Sequence, residues 1–179
     1  MIIYFVRHAS AGEHVSNPKK DERRPLDADG IEQCGFVGRA LAALDAQPDV
    51  IISSPLKRAT QTASLIGNEM GFEGKLQLEA ALKPVAAFTD FRRMLEKYAK
   101  YEAIMVVGHN PSITEFLSRS IAKAGCEARI EFKKGAVARA ETGRNAATLN
   151  WFLTPRIARA IQSAAAAEAE KSRPKTSRK

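Results

Sequence analysis

The sequence has few cysteines and no long hydrophobic run, and these absences exclude several classes of protein. Its two cysteines, Cys34 and Cys126, are far apart and show no C-x-x-C spacing, so neither a zinc site nor a disulfide framework is predicted. No stretch approaches the roughly 18 apolar residues of a membrane-spanning helix. The apolar run at residues 2–6 is too short for a signal peptide, and no basic region precedes it. We therefore expect a soluble, cytoplasmic protein.

Positive charge is in excess, but much of it lies at the C-terminal end. The 179 residues carry a net charge of +8, and 45% of them are hydrophobic, which suits one compact domain. Residues 171–179 contain five Lys or Arg residues, no acid and nothing apolar to bury, so subtracting five charges leaves +3 for residues 1–170. We predict a single domain over residues 1–170 and a basic, disordered tail over residues 171–179. Such a tail could contact nucleic acid or acidic lipid, but a solvated end is its commoner role, so neither partner is expected.

Strand-like runs alternate with helical periods along the chain. Continuous apolar runs, typical of strands covered on both faces, lie at residues 2–6, 50–52 and 103–107, with weaker strands at 76–78, 136–140 and 148–152. Apolar residues at helical spacing occupy residues 30–44, 56–70, 91–98 and 113–121, and an alanine-rich helix follows from Pro155. The polar residues 13–29 are predicted to form a long loop. This alternation predicts an α/β fold, a three-layer α/β/α sandwich around a mostly parallel, mixed sheet.

Each of the three strong strands ends in arginine or histidine. Arg7 and His8 close the first strand. Arg58 follows the second strand, in S-S-P-L-K-R, and His109 follows the third, in G-H-N-P. The carboxyl ends of parallel strands meet at one edge of an α/β sheet, where loops converge on ligands. If these strands are adjacent, two arginines and two histidines lie in one crevice.

The two helices that follow the second and third strands carry N-terminal signals. Ser54 with Pro55, and Asn110 with Pro111, resemble an N-cap and a first helical residue, while S-x-x-E from Ser112 allows an alternative capping box. Both helices would then direct free backbone N–H groups and positive dipole ends at the crevice. The lysine and arginine at the start of the first helix oppose that dipole. A bound anion such as phosphate is expected to offset the repulsion.

Each of these residues also has a purely structural interpretation. A lone Arg58 is more often a surface arginine paired with an acid, His109 a capping or core histidine, and His8 a buried polar residue bound by backbone. The equivalent placement at three strand ends favours one anion site over three coincidences. A metal site is disfavoured, because arginine adjoins His8 and no carboxylate neighbours either histidine in sequence. We therefore predict neither a metal nor a cofactor.

Three motifs together resemble those of a known family. R-H-A after the first strand, S-S-P-L-K-R-A-T-Q-T-A at residues 53–63 and G-H-N-P at residues 108–111 resemble the histidine phosphatase superfamily. The short chain, R-P-L-D-A-D-G at residues 24–30 and N-W-F-L-T-P at residues 150–155 narrow the resemblance to the SixA-type phosphohistidine phosphatases. The similarity covers nearly the whole chain except the tail. It implies a phosphoglycerate-mutase-like fold.

The resemblance implies a role for four of the motif residues. His8 would attack phosphorus and become transiently phosphorylated, and Arg7, Arg58 and His109 would hold the phosphoryl oxygens. The chemistry agrees, because phosphoryl transfer depends on positioning and on neutralising charge at the equatorial oxygens. Arginine provides planar, permanently charged donors for that task. The two arginines should also lower the pKa of His8 and keep its ring neutral and nucleophilic.

Three further residues have weaker assignments. Arg24 of R-P-L and Asn110 are candidate phosphate-binding residues, although Arg24 could instead anchor a loop. Superfamily members that hydrolyse phosphate esters use a carboxylic acid after the second motif to protonate the leaving group. Glu79 is the acid nearest that place, with Asp90 a weaker candidate, but Glu79 could also be an exposed strand-end residue.

The expected substrate is a protein phosphohistidine, in a phosphorelay or phosphotransfer carrier protein of a signal-transduction system. Imidazole leaves more easily than an alkoxide, and the chain has no long insertion that could enclose a small metabolite. Two alternatives remain open. One is a phosphatase of small phosphate esters or pyrophosphates that uses Glu79 as general acid, and the other is a non-catalytic phosphate-binding regulatory module.

Overall fold

A six-stranded mixed sheet forms the centre of the molecule, in a computed structural model that describes residues 1–122, 126 and 128–171. The strands are β1 (Ile2–Arg7), β2 (Val50–Ser53), β3 (Gln77–Leu78), β4 (Ala103–Gly108), β5 (Val137–Glu141) and β6 (Thr148–Leu153). The helices are α1 (Pro18–Glu22), α2 (Ala28–Ala43), α3 (Lys57–Glu69), α4 (Phe88–Lys97), α5 (Ser112–Ile121) and α6 (Pro155–Lys171), with a 3-10 turn at Ala80–Leu82.

The strand order across the sheet is β3-β2-β4-β1-β5-β6. The first four strands in this order are parallel to one another, and β5 and β6 complete the sheet with antiparallel pairing. The three apolar runs that the sequence marks as strands, β1, β2 and β4, are neighbours in the sheet. Their carboxyl ends therefore meet at one edge.

Helices cover both faces of the sheet. Residues of α2, α3 and α6 pack against one face, and residues of α4 and α5 pack against the other. Along β1, Tyr4 and Val6 belong to the first apolar cluster, whereas Ile3 and Phe5 belong to the second. Burial on both faces explains why the parallel strands are continuously apolar rather than alternating. The predicted three-layer sandwich around a mostly parallel, mixed sheet is confirmed.

Residues 13–29 do not form a single loop, so that prediction is wrong. The Asn17 side chain accepts a hydrogen bond from the Lys20 N–H at 3.2 Å, and Pro18 begins the short helix α1. The Asp27 side chain caps α2 through the Gly30 N–H at 2.7 Å, so α2 begins at Ala28 and not at Gly30. Helix caps are polar because their side chains bind free backbone N–H groups, and short exposed helices are polar because they face solvent. The same polarity suggested a loop.

The predicted caps of the two motif helices are also wrong. Leu56 precedes α3 and Pro111 precedes α5, and neither helix has a side-chain hydrogen bond at its cap. The alternative capping box from Ser112 is not formed either. Ser54 and Asn110 do not cap because their side chains bind other residues around a cavity, as described below.

None of the helices in the described part of the chain is long and apolar enough to cross a membrane. The predicted tail, residues 171–179, lies outside the described residues apart from Lys171, which is the last residue of α6.

Gly30 allows α2 to pack directly against the loop that follows β1, and we expect Gly30→Ala to disrupt this contact. A Cβ atom at Gly30 would lie 2.0 Å from the backbone oxygen of Ser10, whereas one at Gly35, in the same helix, would meet only the mobile end of the Arg39 side chain at 3.1 Å. We expect Gly30→Ala to lower the free energy of unfolding by about 1–3 kcal/mol. Gly35→Ala should be neutral or stabilising by up to about 1 kcal/mol.

Urea unfolding of the two variants and of the parent protein tests this expectation. Equal effects of the two substitutions would contradict the close approach of α2 to the Ser10 loop.

Candidate active site

A cavity of about 600 Å³ opens where the carboxyl ends of β1, β2 and β4 meet. The residues that follow these strands line it, namely Arg7, His8, Arg58, His109 and Asn110. Arg24 also lines the cavity, from the loop between α1 and α2. The structure therefore brings together the four motif residues and the two weaker phosphate-binding candidates.

His8 is held at the end of β1 in one orientation. Its backbone N–H donates to the Gly108 carbonyl at 3.0 Å, and its Nδ1 lies 2.7 Å from the Ala9 carbonyl oxygen. A carbonyl oxygen can only accept, so Nδ1 carries the hydrogen and Nε2 keeps its lone pair. Burial is the main reason that the pKa of His8 falls to about 3, and the charges of Arg58 and Arg7 lower it further, against the Ala9 hydrogen bond. The ring is neutral at pH 7.

His109 lies beside His8, with 4.9 Å between the ring centroids. Its pKa is lowered to about 2, first by burial, then by the repulsion that it would feel from a protonated His8 and by the charges of Arg58 and Arg7, against the attraction of Asp21. Its Nε2 is 2.9 Å from the Ser54 hydroxyl oxygen, which also accepts the Leu56 N–H at 3.4 Å. If the hydroxyl donates its own hydrogen to Nε2, the proton of the neutral ring resides on Nδ1. Nδ1 is buried and has no partner among the described residues.

The two arginines are anchored by some of their nitrogens and keep others free. Arg7 donates from Nη1 to the Phe132 carbonyl at 2.7 Å. Arg58 donates from Nη1 to the Asp21 carbonyl at 2.8 Å, and the same nitrogen is 3.2 Å from an Asp21 carboxylate oxygen. The Nε atoms of both arginines are buried and have no hydrogen-bond partner in the described part of the chain. Unsatisfied buried donors are costly, and the two residues that carry them line the same cavity.

Asp21 is the anion that binds Arg24 and Arg58, and it is not among the residues that the sequence motifs single out. One carboxylate oxygen accepts from the Arg24 Nε at 2.9 Å and from the Val15 N–H at 3.2 Å, and it lies 3.1 Å from the His14 Nδ1. The other oxygen pairs with Arg58. Burial by itself raises the pKa of Asp21, but the hydrogen bonds and the two arginine charges outweigh it and lower the pKa to about 2. Asp21 is therefore ionised at neutral pH.

The sequence does contain a signal for Asp21. Asn17-Pro18 has the same N-cap and first-residue pattern that we assigned to Ser54-Pro55, and at Asn17 the pattern is correct. A helix beginning there places Asp21 three residues before Arg24, within reach of its guanidinium. Ser54, in contrast, has no signal that links it to His109, because the contact spans 55 residues.

Arg24 anchors the loop that covers one side of the cavity. In addition to Asp21 it donates to the carbonyls of Ala11 and Gly12, on the segment that follows His8. These contacts are those expected if Arg24 anchors a loop, which was the alternative to a phosphate-binding role. Asn110 donates to the Phe132 carbonyl at 3.2 Å and accepts from the Thr114 hydroxyl at 2.8 Å. Both side chains border the cavity while their polar groups contact protein.

Glu79 is not among the residues that line the cavity. One of its carboxylate oxygens accepts hydrogen bonds from the Lys97 ammonium and, at 2.9 Å, from the Tyr98 hydroxyl. Partial burial raises the pKa of Glu79, but these two hydrogen bonds outweigh it, and the pKa lies below its ordinary value. An ionised, paired carboxylate outside the cavity is poorly suited to donate a proton there.

We expect Asp21→Asn to destabilise the protein, because Arg58 would lose its buried counter-ion. The folded-state pKa of Asp21 is depressed from 3.8 to about 2, so at pH 7 the carboxylate contributes roughly 2 kcal/mol to the free energy of unfolding. This contribution is present above pH 4 and is lost as the pH falls through the folded-state pKa of about 2. Urea unfolding from pH 7 down to pH 2 measures it.

Asp45→Asn is the control, because the Asp45 side chain is exposed and, among the described residues, accepts a hydrogen bond only from the nearby Gln47 side chain. A constant difference in stability between Asp21→Asn and the parent protein at every pH would contradict the ion-pair explanation.

Comparison with known proteins identifies the family. A model of the histidine phosphatase superfamily (branch 1) matches residues 3–87, which contain His8 and Arg58. An uncharacterized protein of Picosynechococcus sp. is 31% identical over 119 residues, which are 65% of this chain and 70% of that protein.

Two solved structures share the fold. The protein histidine phosphatase SixA complexed with tungstate superposes with a TM-score of 0.76 at 19% identity, covering 87% of this chain and 98% of that chain. The alpha-ribazole phosphatase from Shigella flexneri superposes with a TM-score of 0.64 at 17% identity, covering 87% of this chain and 97% of that chain. The family match, together with the cavity at the ends of β1, β2 and β4, shows that this chain is a phosphatase belonging to the histidine phosphatase superfamily.

Proposed function

We propose that the protein is a phosphohistidine phosphatase that transfers the phosphoryl group of a protein phosphohistidine to its own His8 and then to water. The observation that carries this proposal is the hydrogen bond from Nδ1 of His8 to the Ala9 carbonyl. It leaves Nε2 as an unprotonated nucleophile in a cavity lined by Arg7, Arg58 and His109. Among the described residues, the buried Nε atoms of the two arginines and the Nδ1 of His109 have no hydrogen-bond partner. The His109 Nδ1 is a donor in the tautomer in which Ser54 donates to Nε2.

In the first step the lone pair on Nε2 of His8 forms the new P–N bond as the P–N bond of the substrate breaks. A substrate imidazole that carries a proton on its second nitrogen leaves as neutral imidazole, so it needs no further acid. His8 retains the hydrogen on Nδ1 and becomes a phosphorylated imidazolium. The same bond type is broken and formed, and the total charge is unchanged.

In the second step water attacks phosphorus and the bond to Nε2 of His8 breaks. Nε2 takes back the electron pair, the hydrogens of the water remain with the phosphate product, and the ring returns to its neutral form. Both steps place negative charge on the three equatorial oxygens of the phosphoryl group. Arg7, Arg58 and His109 line the cavity, and we propose that they donate hydrogen bonds to those oxygens and stabilise this charge.

The ion pairs of the carboxylates in and near the cavity favour phosphohistidine over phosphate esters as the substrate. An alkoxide leaving group requires a proton donor, but Glu79 is paired with Lys97 outside the cavity and Asp21 is an ionised partner of Arg58. Glu22 is the other carboxylate among the lining residues that the structure describes, and it lies 4.0 Å from the Lys83 ammonium at the surface. A phosphohistidine substrate requires none of these groups to act as an acid.

A small phosphate ester is the second candidate substrate, because the alpha-ribazole phosphatase shares the fold. If the protein hydrolyses such esters, Glu22 is the carboxylate with access to the cavity. The two candidate substrates differ in whether the leaving group needs a proton donor. Substitution of the candidate acids therefore distinguishes them.

We expect the wild-type protein to hydrolyse a phosphohistidine protein faster than a sugar phosphate or an aryl phosphate. His8→Ala should lower turnover at least about a thousandfold, because the nucleophile is lost, while phosphate binding remains. The phosphoenzyme, which is acid-labile and base-stable when phosphorus is bound to nitrogen, should be trapped with wild-type protein and not with His8→Ala. Retained turnover in His8→Ala would exclude the covalent route.

Glu22→Gln and Glu79→Gln test whether a carboxylic acid protonates the leaving group. Neither should reduce hydrolysis of the phosphohistidine protein more than about twofold, because imidazole leaves without an acid. A preference for the sugar phosphate that either substitution abolishes would overturn the assignment and identify the acid.

A further inference from the structure

Lys134 is held next to the nucleophile by the turn that precedes β5. The N–H of the following residue, Gly135, donates to the carbonyls of both Arg7 and His8 at 3.1 Å, and Gly135 has a positive φ of 72°. The Phe132 carbonyl, on the other side, accepts from Arg7 at 2.7 Å. The backbone on either side of Lys134 is therefore attached to the catalytic end of β1, and Lys134 itself lines the cavity.

Lys134 has no ion pair among the described residues, unlike the lysine beside it. Lys133 binds the Glu131 carboxylate and does not line this cavity. The charge of Lys134 still acts on the cavity, since it adds to the burial and the arginine charges that lower the pKa of His8. Burial by itself raises the pKa of Asp27, but three hydrogen bonds and then the charge of Lys134 lower it below its ordinary value. Lys134 is thus an exposed, unpaired cation close to the nucleophile.

Lys83 provides a second cation at the opening of the same cavity. Its ammonium is 4.0 Å from the Glu22 carboxylate, and both side chains are about half exposed, at 45% and 58%. An exposed pair at that distance contributes little free energy, so an anionic ligand can compete for Lys83. Arg7, Arg58 and His109 already supply the buried donors for one phosphoryl group, and a cavity of about 600 Å³ is much larger than that group.

We propose that Lys134 and Lys83 form a second anion-binding subsite, which selects phosphohistidine proteins that carry an acidic side chain beside the phosphohistidine. This proposal rests on the proposed function and adds the class of partner. Solvent-exposed cations at a rim act on association and on KM more than on the chemical step, and their effect weakens as salt is added.

Two synthetic phosphohistidine peptides test the proposal, one with glutamates and one with glutamines on both sides of the phosphohistidine. We expect the wild-type protein to show a kcat/KM about five- to tenfold higher for the glutamate peptide at low salt, carried by KM. Lys134→Met should bring this ratio close to one, and Lys83→Met should reduce it. The matched control is Lys133→Met, which should leave the ratio unchanged. A wild-type ratio of one, or an unchanged ratio in Lys134→Met, would overturn the proposal.

A pair of inhibitors separates failure of the subsite from failure of the proposed function. Methylphosphonate carries one anionic group and methylenediphosphonate carries two, and neither is hydrolysed, so both can be tested against aryl phosphate hydrolysis. We expect wild-type protein to bind the diphosphonate about five- to tenfold more tightly, and Lys134→Met to lose that difference.

Equal weakening of both inhibitors by Lys134→Met would instead assign Lys134 to the first phosphoryl group and refute the second subsite. If neither peptide is hydrolysed although the aryl phosphate is, the proposed function fails, and the inhibitor pair alone decides whether the subsite exists.

Discussion

The parallel register of β1 and β4 is the constraint on which the site depends. Arg7 pairs with Gly108, so the next residue on each strand is a histidine, and the two rings lie 4.9 Å apart. The His8 N–H donates to Gly108, which extends the ladder to His8 itself. A one-residue slip would reverse the faces of the apolar side chains of β1, which pack on both sides. The core therefore fixes the positions of His8 and His109.

The cationic side chains at this edge of the sheet repel one another, and the Asp21 carboxylate reduces that repulsion. Arg58 is 5% exposed and Asp21 is 8% exposed, so their charges interact with little screening. One ionised carboxylate holds Arg24 and Arg58 and fixes the start of the loop that lies over the cavity. The Nε atoms of Arg7 and Arg58 have no hydrogen-bond partner among the residues that the structure describes. The Nη1 atom of Arg58 is thus bound by Asp21, whereas under the proposed function its Nε atom can bind a ligand.

The fold class and the gathering of the motif residues followed from the sequence, because both depend on long apolar runs and on where they end. The helix starts did not follow. A serine before proline is a good cap by local propensity, but in this fold the Ser54 hydroxyl is within hydrogen-bonding distance of His109. A long-range contact therefore overrode a local preference. Asp21 escaped notice because the polar residues around it suggested a loop and because its second partner, Arg58, is 37 residues away along the chain.

The low basicity of His8 has opposite effects on the two steps of the proposed reaction. A nitrogen with a pKa of about 3 is a weaker nucleophile than an ordinary histidine and a better leaving group from phosphorus. Transfer from a more basic substrate histidine onto His8 is therefore unfavourable unless the phosphoryl group is stabilised by other contacts. The free donors of Arg7, Arg58 and His109 can supply that stabilisation, and release to water then benefits from the weak P–N bond. Burial, with a smaller contribution from the arginine charges, thus depresses the basicity of His8, and the same arginines can compensate by stabilising the phosphoryl group.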